Sequence, residues 1–413
     1  MFDDPLMWAR LQFALTAGTH YLFVAFTLGM APVILFAQLN AARRRDEARM
    51  RAVRFWGGLY LVNYGMGILS GLVMELQLAL NWSGLNEMFG YAFAAPLAVE
   101  TMVAFFIEST FLGLWIFGWD RMGRWAHWSC FLVVTLTAYL SAYWVLVANG
   151  FMRFPVGFEI RDGVAVLTDI GALAANPSTL LAFAHIIAGS LLVGGLIVAA
   201  VSAYHLVRGY DPDGMFGRGI RTGALLTAIG AFPTVTFGGM QYMVRGMENP
   251  TKGMTLSAAE IEAVERSRGA GTEVVAGLGS AVMTFAWLFI SVLAVLMLLA
   301  WLVRRIDRWR WLHWVLVFAP FLPFGATIGG WVEREVGRQP WAVQYHLTTA
   351  DAVTPMTNGQ AALSFVLFTV SFAVLATVTW FLIVRFARRG PDGSPLAPQQ
   401  VPAAEPPAPV HRF

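Results

Sequence analysis

Residues 274–303 read VVAGLGSAVMTFAWLFISVLAVLMLLAWLV, without one charged side chain. As a helix this run is roughly 45 Å long at about 1.5 Å per residue, more than the ~30 Å hydrocarbon core of a bilayer. Comparable apolar runs lie at about 12–39, 53–80, 92–118, 126–150, 179–206, 220–241, 311–331 and 361–386. Each is long enough to cross a membrane, so the chain reads as an all-α, polytopic integral membrane protein of about nine transmembrane helices. Composition agrees: of 413 residues 57% are hydrophobic and only 13% charged, more apolar surface than a water-soluble core could hide. No short cleavable segment precedes the first run, which is therefore read as a retained helix.

The net charge of +3 is carried by arginine, Lys252 being the only lysine. Alternate loops hold the groups Arg43–Arg54, Arg121 and Arg124, Arg208–Arg221, Arg304–Arg310 and Arg385–Arg389. An excess of arginine in alternate loops marks the cytoplasmic side, which puts the N-terminus outside and the C-terminus in the cytoplasm. The basic balance is thus a matter of topology, not of nucleic-acid binding. The single cysteine, Cys130, lies in an apolar run, so the chain has no internal disulfide and no thiolate cluster, and any metal must use His, Met or carboxylate. The longest polar insertion, about 242–273, falls outside and is a candidate substrate loop as well as an ordinary solvated connector. Residues 1–390 then form the membrane domain, and the Pro-rich stretch 391–413 reads as a disordered tail.

Ionisable groups in hydrocarbon cost a few kcal/mol each on insertion scales, so those inside the spans point to function. They are His20, Glu75, Glu100, Glu108, His185 and the pair Glu333 and Glu335. Counted from the outer ends, His20, Glu75, Glu100, His185 and Met283 lie roughly 5 to 9 residues deep, within the outer half of the bilayer at about 1.5 Å per residue. Residues of several helices at one depth suggest a buried prosthetic group or a polar cavity. Haem suits His and Met ligands; an intramembrane His is also a common helix-to-helix hydrogen-bonder, and a Met is commonly core. Glu100 and Glu108 lie ~80° apart around a regular helix and ~12 Å apart along it, a spacing that serves either a proton relay or two structural hydrogen bonds. An ion path through a transporter or channel is a further reading of the same residues.

Five blocks carry a resemblance: RLQFALTAGTHYLFV at 10–24, FWGGLYLVNYGMGILSGLVMELQLALNWS at 55–83, APLAVETMVAFFIESTFLGLWIFGWDR at 95–121, SAYWVLVANGFM at 141–152 and GWVEREVGRQPWAV at 330–343. Together they resemble the large, haem-bearing subunit I of cytochrome bd-type quinol oxidases, over residues 5–390. The resemblance implies that His185 and Met283 bind a low-spin haem b. It makes His20 and Glu335 axial ligands of a high-spin haem b and of the oxygen-reducing haem d, or a third haem b in its place, in an order it leaves open. It puts Trp331 between those two haems, Arg338 in the cofactor-binding set, Glu100 and Glu108 in proton delivery, and Lys252 and Glu260 at the quinol. The implied activity is oxidation of ubiquinol or menaquinol and reduction of O2 to water, building a proton gradient without a pump. The implied setting is the lipid of the bacterial cytoplasmic membrane, beside a second large subunit, with or without a small single-helix one. Two features depart from the pattern: Ala281 stands where an arginine is common, and the loop ENPTKGMTLSAAEIEA at 248–263 matches loosely. They motivate an alternative, a bd-like haem oxidoreductase with a non-quinol donor.

Overall fold

The computed structural model describes residues 4–245 and 256–398. Among them nine helices are long and apolar enough to span a membrane. They are α1 (Pro5–Arg44), α2 (Glu47–Asn81), α3 (Ser83–Phe117), α4 (Arg124–Arg153), α5 (Pro177–Val207), α6 (Met215–Arg245), α8 (Ala270–Leu302), α9 (Arg310–Val336) and α10 (Asn358–Arg389). A short helix, α7 (Ala258–Arg266), precedes α8. Local sequence sets the ends. Asp4 caps α1 by accepting from the Leu6 amide with Pro5 in the first turn, and Thr357 and Gln360 close a capping box on α10.

The helices approach through glycine. Gly29 of α1 meets Gly194 of α5, and Gly195 of α5 meets Gly223 of α6. Where α8 crosses α9, a Cβ on either Gly279 or Gly329 would fall 2.6 Å from the other's carbonyl oxygen. In lipid no hydrophobic force draws helices together, so close backbone contact has to supply the attraction. A large aromatic core between α1, α2, α3 and α4 includes Phe26, Phe55, Trp56, Tyr60, Trp115 and Phe131.

The loops gather at two ends. At the arginine-rich end Arg221 pairs with Asp307 at 3.2 Å, Arg51 pairs with Asp213, and Arg54 lies 3.6 Å from Asp120. At the opposite end lie α7 and two hairpins, β1 (Phe158–Arg161) with β2 (Val164–Leu167) and β3 (Trp341–Val343) with β4 (Leu347–Thr348). Trp341 donates from Nε1 to Glu265 at 2.6 Å, and Arg268 donates to the Gly337 carbonyl, so α7 is docked onto the segment that follows α9.

Three features differ from the sequence reading. First, α3 is not regular: Glu100–Phe105 form a π turn. Second, the β1–β2 hairpin fills a stretch left unassigned. Its signal is Asp162–Gly163, both at positive φ (51° and 81°), the dipeptide that a two-residue hairpin turn favours. Third, the stretch expected to be a free tail begins with ordered residues. Ser394 donates to the Arg54 carbonyl at 2.8 Å, Arg54 donates to the Leu396 carbonyl at 3.3 Å, and the Pro391 and Leu396 side chains are buried. The Arg54 guanidinium also lies 4.2 Å from the Trp119 ring centroid. Two apolar anchors and two hydrogen bonds to backbone carbonyls hold this strap, which a composition averaged over 391–413 hides.

Candidate functional site

Inside the bundle is a cavity of about 390 Å³. Protein interiors are otherwise close-packed, and this volume falls in the range of small-molecule and cofactor pockets. Its wall includes His20 of α1, Glu75 of α2, Glu100 and Glu108 of α3, His185 of α5, Met283 of α8 and Trp331 of α9. The residues that sequence put at one depth therefore share one wall.

Both histidines are held in a defined tautomer. His185 Nδ1 is 2.7 Å from the Thr234 carbonyl oxygen of α6. A carbonyl only accepts, so Nδ1 carries the hydrogen and, in the neutral ring, Nε2 carries the lone pair. His20 Nδ1 is 2.9 Å from Ser70 Oγ of α2. The Ser70 hydroxyl spends its own hydrogen on the Met66 carbonyl at 2.6 Å, so Oγ accepts from Nδ1, and again Nε2 keeps the lone pair. An imidazole fixed through one nitrogen and left with a lone pair on the other is prepared to bind a metal.

Glycines make room for these side chains. A Cβ on Gly238 would lie 3.0 Å from both Cε1 and Nδ1 of His185, one on Gly71 would lie 3.2 Å from Cε1 of His20, and one on Gly330 would lie 2.8 Å from the Met283 sulfur.

The carboxylates form a second feature of the wall. Glu100 opens the π turn, accepts from the Ser141 hydroxyl of α4, and lies 3.2 Å from Thr101 Oγ1. Thr101 Oγ1 is also 2.7 Å from Glu75 Oε1. Glu108 is only 5% exposed, and its Oε1 is buried with no hydrogen-bond partner among the described residues. The π turn closes its hydrogen bonds at i+5, so it turns less per residue than an α-helix. Glu100 and Glu108 are thereby brought closer to one face than the ~80° of a regular helix, and both reach the cavity.

Glu335, which the resemblance makes an axial haem ligand, is set back from the wall. Its Oε2 accepts from Arg338 at 2.6 Å and its Oε1 from Asn149 at 3.0 Å. Asn149 is itself on the cavity wall, and its Oδ1 accepts from Arg334 Nε at 2.8 Å, so one side chain separates Glu335 from the cavity. The carboxylate keeps acceptor capacity beyond these two bonds. Arg338 is buried at 9% exposure, with Nε and Nη1 lacking partners among the described residues. Trp331 packs between Phe13 and Tyr21, ring centroids 6.3 and 6.2 Å away. Glu260 does not join the group: it accepts from the Ser257 amide and hydroxyl at 2.8 and 2.7 Å in the capping box of α7. Its carboxyl is held below the ordinary value by those bonds. Lys252 lies outside the described residues.

The donor set fits haem. Among the described residues no three His, Cys, Asp or Glu side chains converge on one point. Iron already held in a macrocycle asks only for one or two axial ligands, such as a single imidazole, thioether or carboxylate beside an apolar cavity. Sequence reasoning found the donors because they are ionisable groups in apolar runs. It missed Ser70, the Thr234 carbonyl, Thr101, Ser141 and Asn149, which are unremarkable until the fold sets them beside those donors.

Comparison with known proteins is consistent with this geometry. The profile of the family described as Cytochrome bd terminal oxidase subunit I matches residues 8–280 and 276–391. The chain is 31% identical to cytochrome bd ubiquinol oxidase subunit 1 of Bacillus subtilis, over 94% of this chain and 95% of that protein. It is 27% identical to cytochrome bd-II ubiquinol oxidase subunit 1 of Escherichia coli, over 94% of this chain and 97% of that protein. The solved bd oxidase structure from Geobacillus thermodenitrificans superposes with a TM-score of 0.81 at 23% identity, covering 94% of this chain and 99% of that one, and so shares the fold. The chain therefore belongs to the cytochrome bd terminal oxidase subunit I family, the haem-bearing subunits of multisubunit terminal oxidases.

Proposed function

We propose that this chain is the catalytic subunit of a quinol:oxygen oxidoreductase in the bacterial cytoplasmic membrane, with its N-terminus outside and the arginine-rich end in the cytoplasm. The observation that carries the reading is the pair of histidines, each fixed as the Nδ1–H tautomer on the wall of one cavity. Haem, when bound, supplies a redox-active iron that stores electrons and binds oxygen. His185 and Met283 would hold a low-spin haem b. His20 and Glu335 would hold the other two groups, a high-spin haem b and haem d or a third haem b, with Arg338 fixing the Glu335 carboxylate. Trp331, packed between the Phe13 and Tyr21 rings, forms part of that wall. Glu108 and Glu100 hand protons from the cytoplasmic half of the membrane toward the cavity. Quinol oxidised at the opposite end releases its protons there, so oxygen reduction separates charge without a pump. A second large subunit completes the complex.

The test is a reduced-minus-oxidised absorption spectrum of the purified complex, with a pyridine haemochrome to count haem b against haem d, followed by oxygen uptake with ubiquinol and menaquinol. Three haems and quinol-dependent uptake are expected; a complex without haem bands refutes the reading. Glu260→Gln keeps a residue able to cap α7 while removing its charge. A raised quinol KM in that variant is expected if Glu260 and Lys252 contact the substrate. Ala281, in place of the arginine common near the methionine ligand, favours a second reading in which another carrier donates the electrons. Intact haems with no turnover on any quinol would select it.

A further inference from the structure

Glu75 has no part in the mechanism above, yet it lines the cavity beside Glu100. Thr101 joins them, with Oγ1 at 2.7 Å from Glu75 Oε1 and 3.2 Å from Glu100 Oε2. A threonine hydroxyl has one hydrogen and can give it to only one of two carboxylates. The other contact is a hydrogen bond only if that carboxyl carries a proton and donates it to Oγ1. Both contacts are hydrogen bonds when the pair holds one proton between them. The Ser141 hydroxyl holds Glu100 from the far side, and the π turn, a distortion often found at functional sites, carries both Glu100 and Thr101.

We propose that Glu75, Thr101 and Glu100 form a proton-exchange triad in which Glu75 receives the proton that Glu100 passes on and releases it into the cavity. The exchange balances. The Glu100 O–H proton moves to Thr101 Oγ1 as the threonine's own hydrogen moves to Glu75 Oε1; one proton is transferred, the threonine is regenerated and no heavy-atom bond changes. The inference rests on the oxidase reading and adds to it a residue that the family resemblance did not assign.

The test uses the complete oxidase. Thr101→Val removes the hydroxyl at nearly constant shape, and Glu75→Gln removes the second carboxyl. Positioned proton transfer is worth about 10²–10⁴-fold in rate, so each variant is expected to slow oxygen reduction at least tenfold with quinol KM and haem spectrum unchanged. Thr101→Ser is expected to recover most of the lost rate. A readout independent of turnover is the infrared difference spectrum, in which the protonated carboxyl C=O band of the wild type should shift in Thr101→Val and in Glu75→Gln. A purely structural role for Glu75 leaves that band unmoved in Thr101→Val. Wild-type rates, or an unmoved band, in Thr101→Val overturn the triad; this variant decides alone if Glu75→Gln does not assemble. A wild-type complex lacking haem bands and oxygen uptake sinks the oxidase reading itself, and that is visible before any variant is made.

Discussion

Two adjacent glycines on α6 offer a matched pair of substitutions. A Cβ on Gly238 would sit 3.0 Å from Cε1 and Nδ1 of His185, whereas one on Gly239 would meet nothing within 4 Å. Carbon contacts are comfortable from about 3.5 Å, so Gly238→Ala must push the imidazole away by roughly 0.5 Å. The acceptor that fixes the ring, the Thr234 carbonyl, lies one turn back on the same helix, so moving away from Gly238 also stretches that bond. From 2.7 Å it lengthens to about 3.2 Å, the outer limit for N–H···O, losing on the order of 1 kcal/mol and the tautomer it enforces. Loss of such an outer partner lowers metal affinity about 10- to 100-fold. Gly238→Ala is therefore expected to lose the His185-bound haem on dilution and washing, while Gly239→Ala keeps it and gains up to about 1 kcal/mol in helix propensity. Haem-to-protein ratio by pyridine haemochrome, together with the reduced spectrum, reads the difference. Equal haem content in the two variants would refute both the contact argument and the ligand role of His185.

Other outcomes follow from the same coordinates. Gly330→Ala would put a Cβ 2.8 Å from the Met283 sulfur; the flexible thioether swings aside, so the protein folds normally, and if Met283 is the proposed ligand the low-spin haem spectrum converts toward high-spin. Arg338→Gln breaks a 2.6 Å pair whose side chains are 8% and 13% exposed, and removing one partner of a buried pair costs about 3–5 kcal/mol; a clear fall in thermal midpoint is expected, and an unchanged midpoint would show that the pair is dispensable. His346, between the Phe89 and Phe158 rings, has its pKa lowered to about 4 by burial. It stays neutral in the folded protein while the unfolded chain binds a proton below about 6.5, so stability is full above that pH and falls as the pH drops toward 4, by about 2 kcal/mol at pH 5. The thermal midpoint of His346→Gln should lose that part of the pH 7 to pH 5 decline.

Much of this architecture was legible because lipid imposes simple rules. An uninterrupted apolar run such as 274–303 has one economical use, and arginine groups in alternate loops mark one end. His20 and His185 stood out because ionisable groups in hydrocarbon need a reason. Depth along a helix, however, gives height and not azimuth. Glu335 bonds to Asn149 and Arg338 and is not on the cavity wall. Nor does any residue pattern announce the π turn, whose slower rotation alters the relation of Glu100 to Glu108. The partners that set the histidine tautomers, a serine and a backbone carbonyl, are invisible until α1 meets α2 and α5 meets α6. The hairpin at Asp162–Gly163 was readable, and was hidden by attention to the apolar runs.

The strap formed by residues 390–398 bears on how the molecule is made. Its seat on α2, the Arg54 backbone and the groove receiving Ser394 and Leu396, leaves the ribosome early, whereas its occupant is synthesised only after α10. Until then the seat stays open, with the Arg54 carbonyl and guanidinium unsatisfied by the strap. Closure of that seat is therefore a late mark of biogenesis, separating a finished subunit from one stalled before its last helix. Chains cut short of Ser394 would keep His20, His185, Met283 and Glu335 and leave this seat on α2 uncovered.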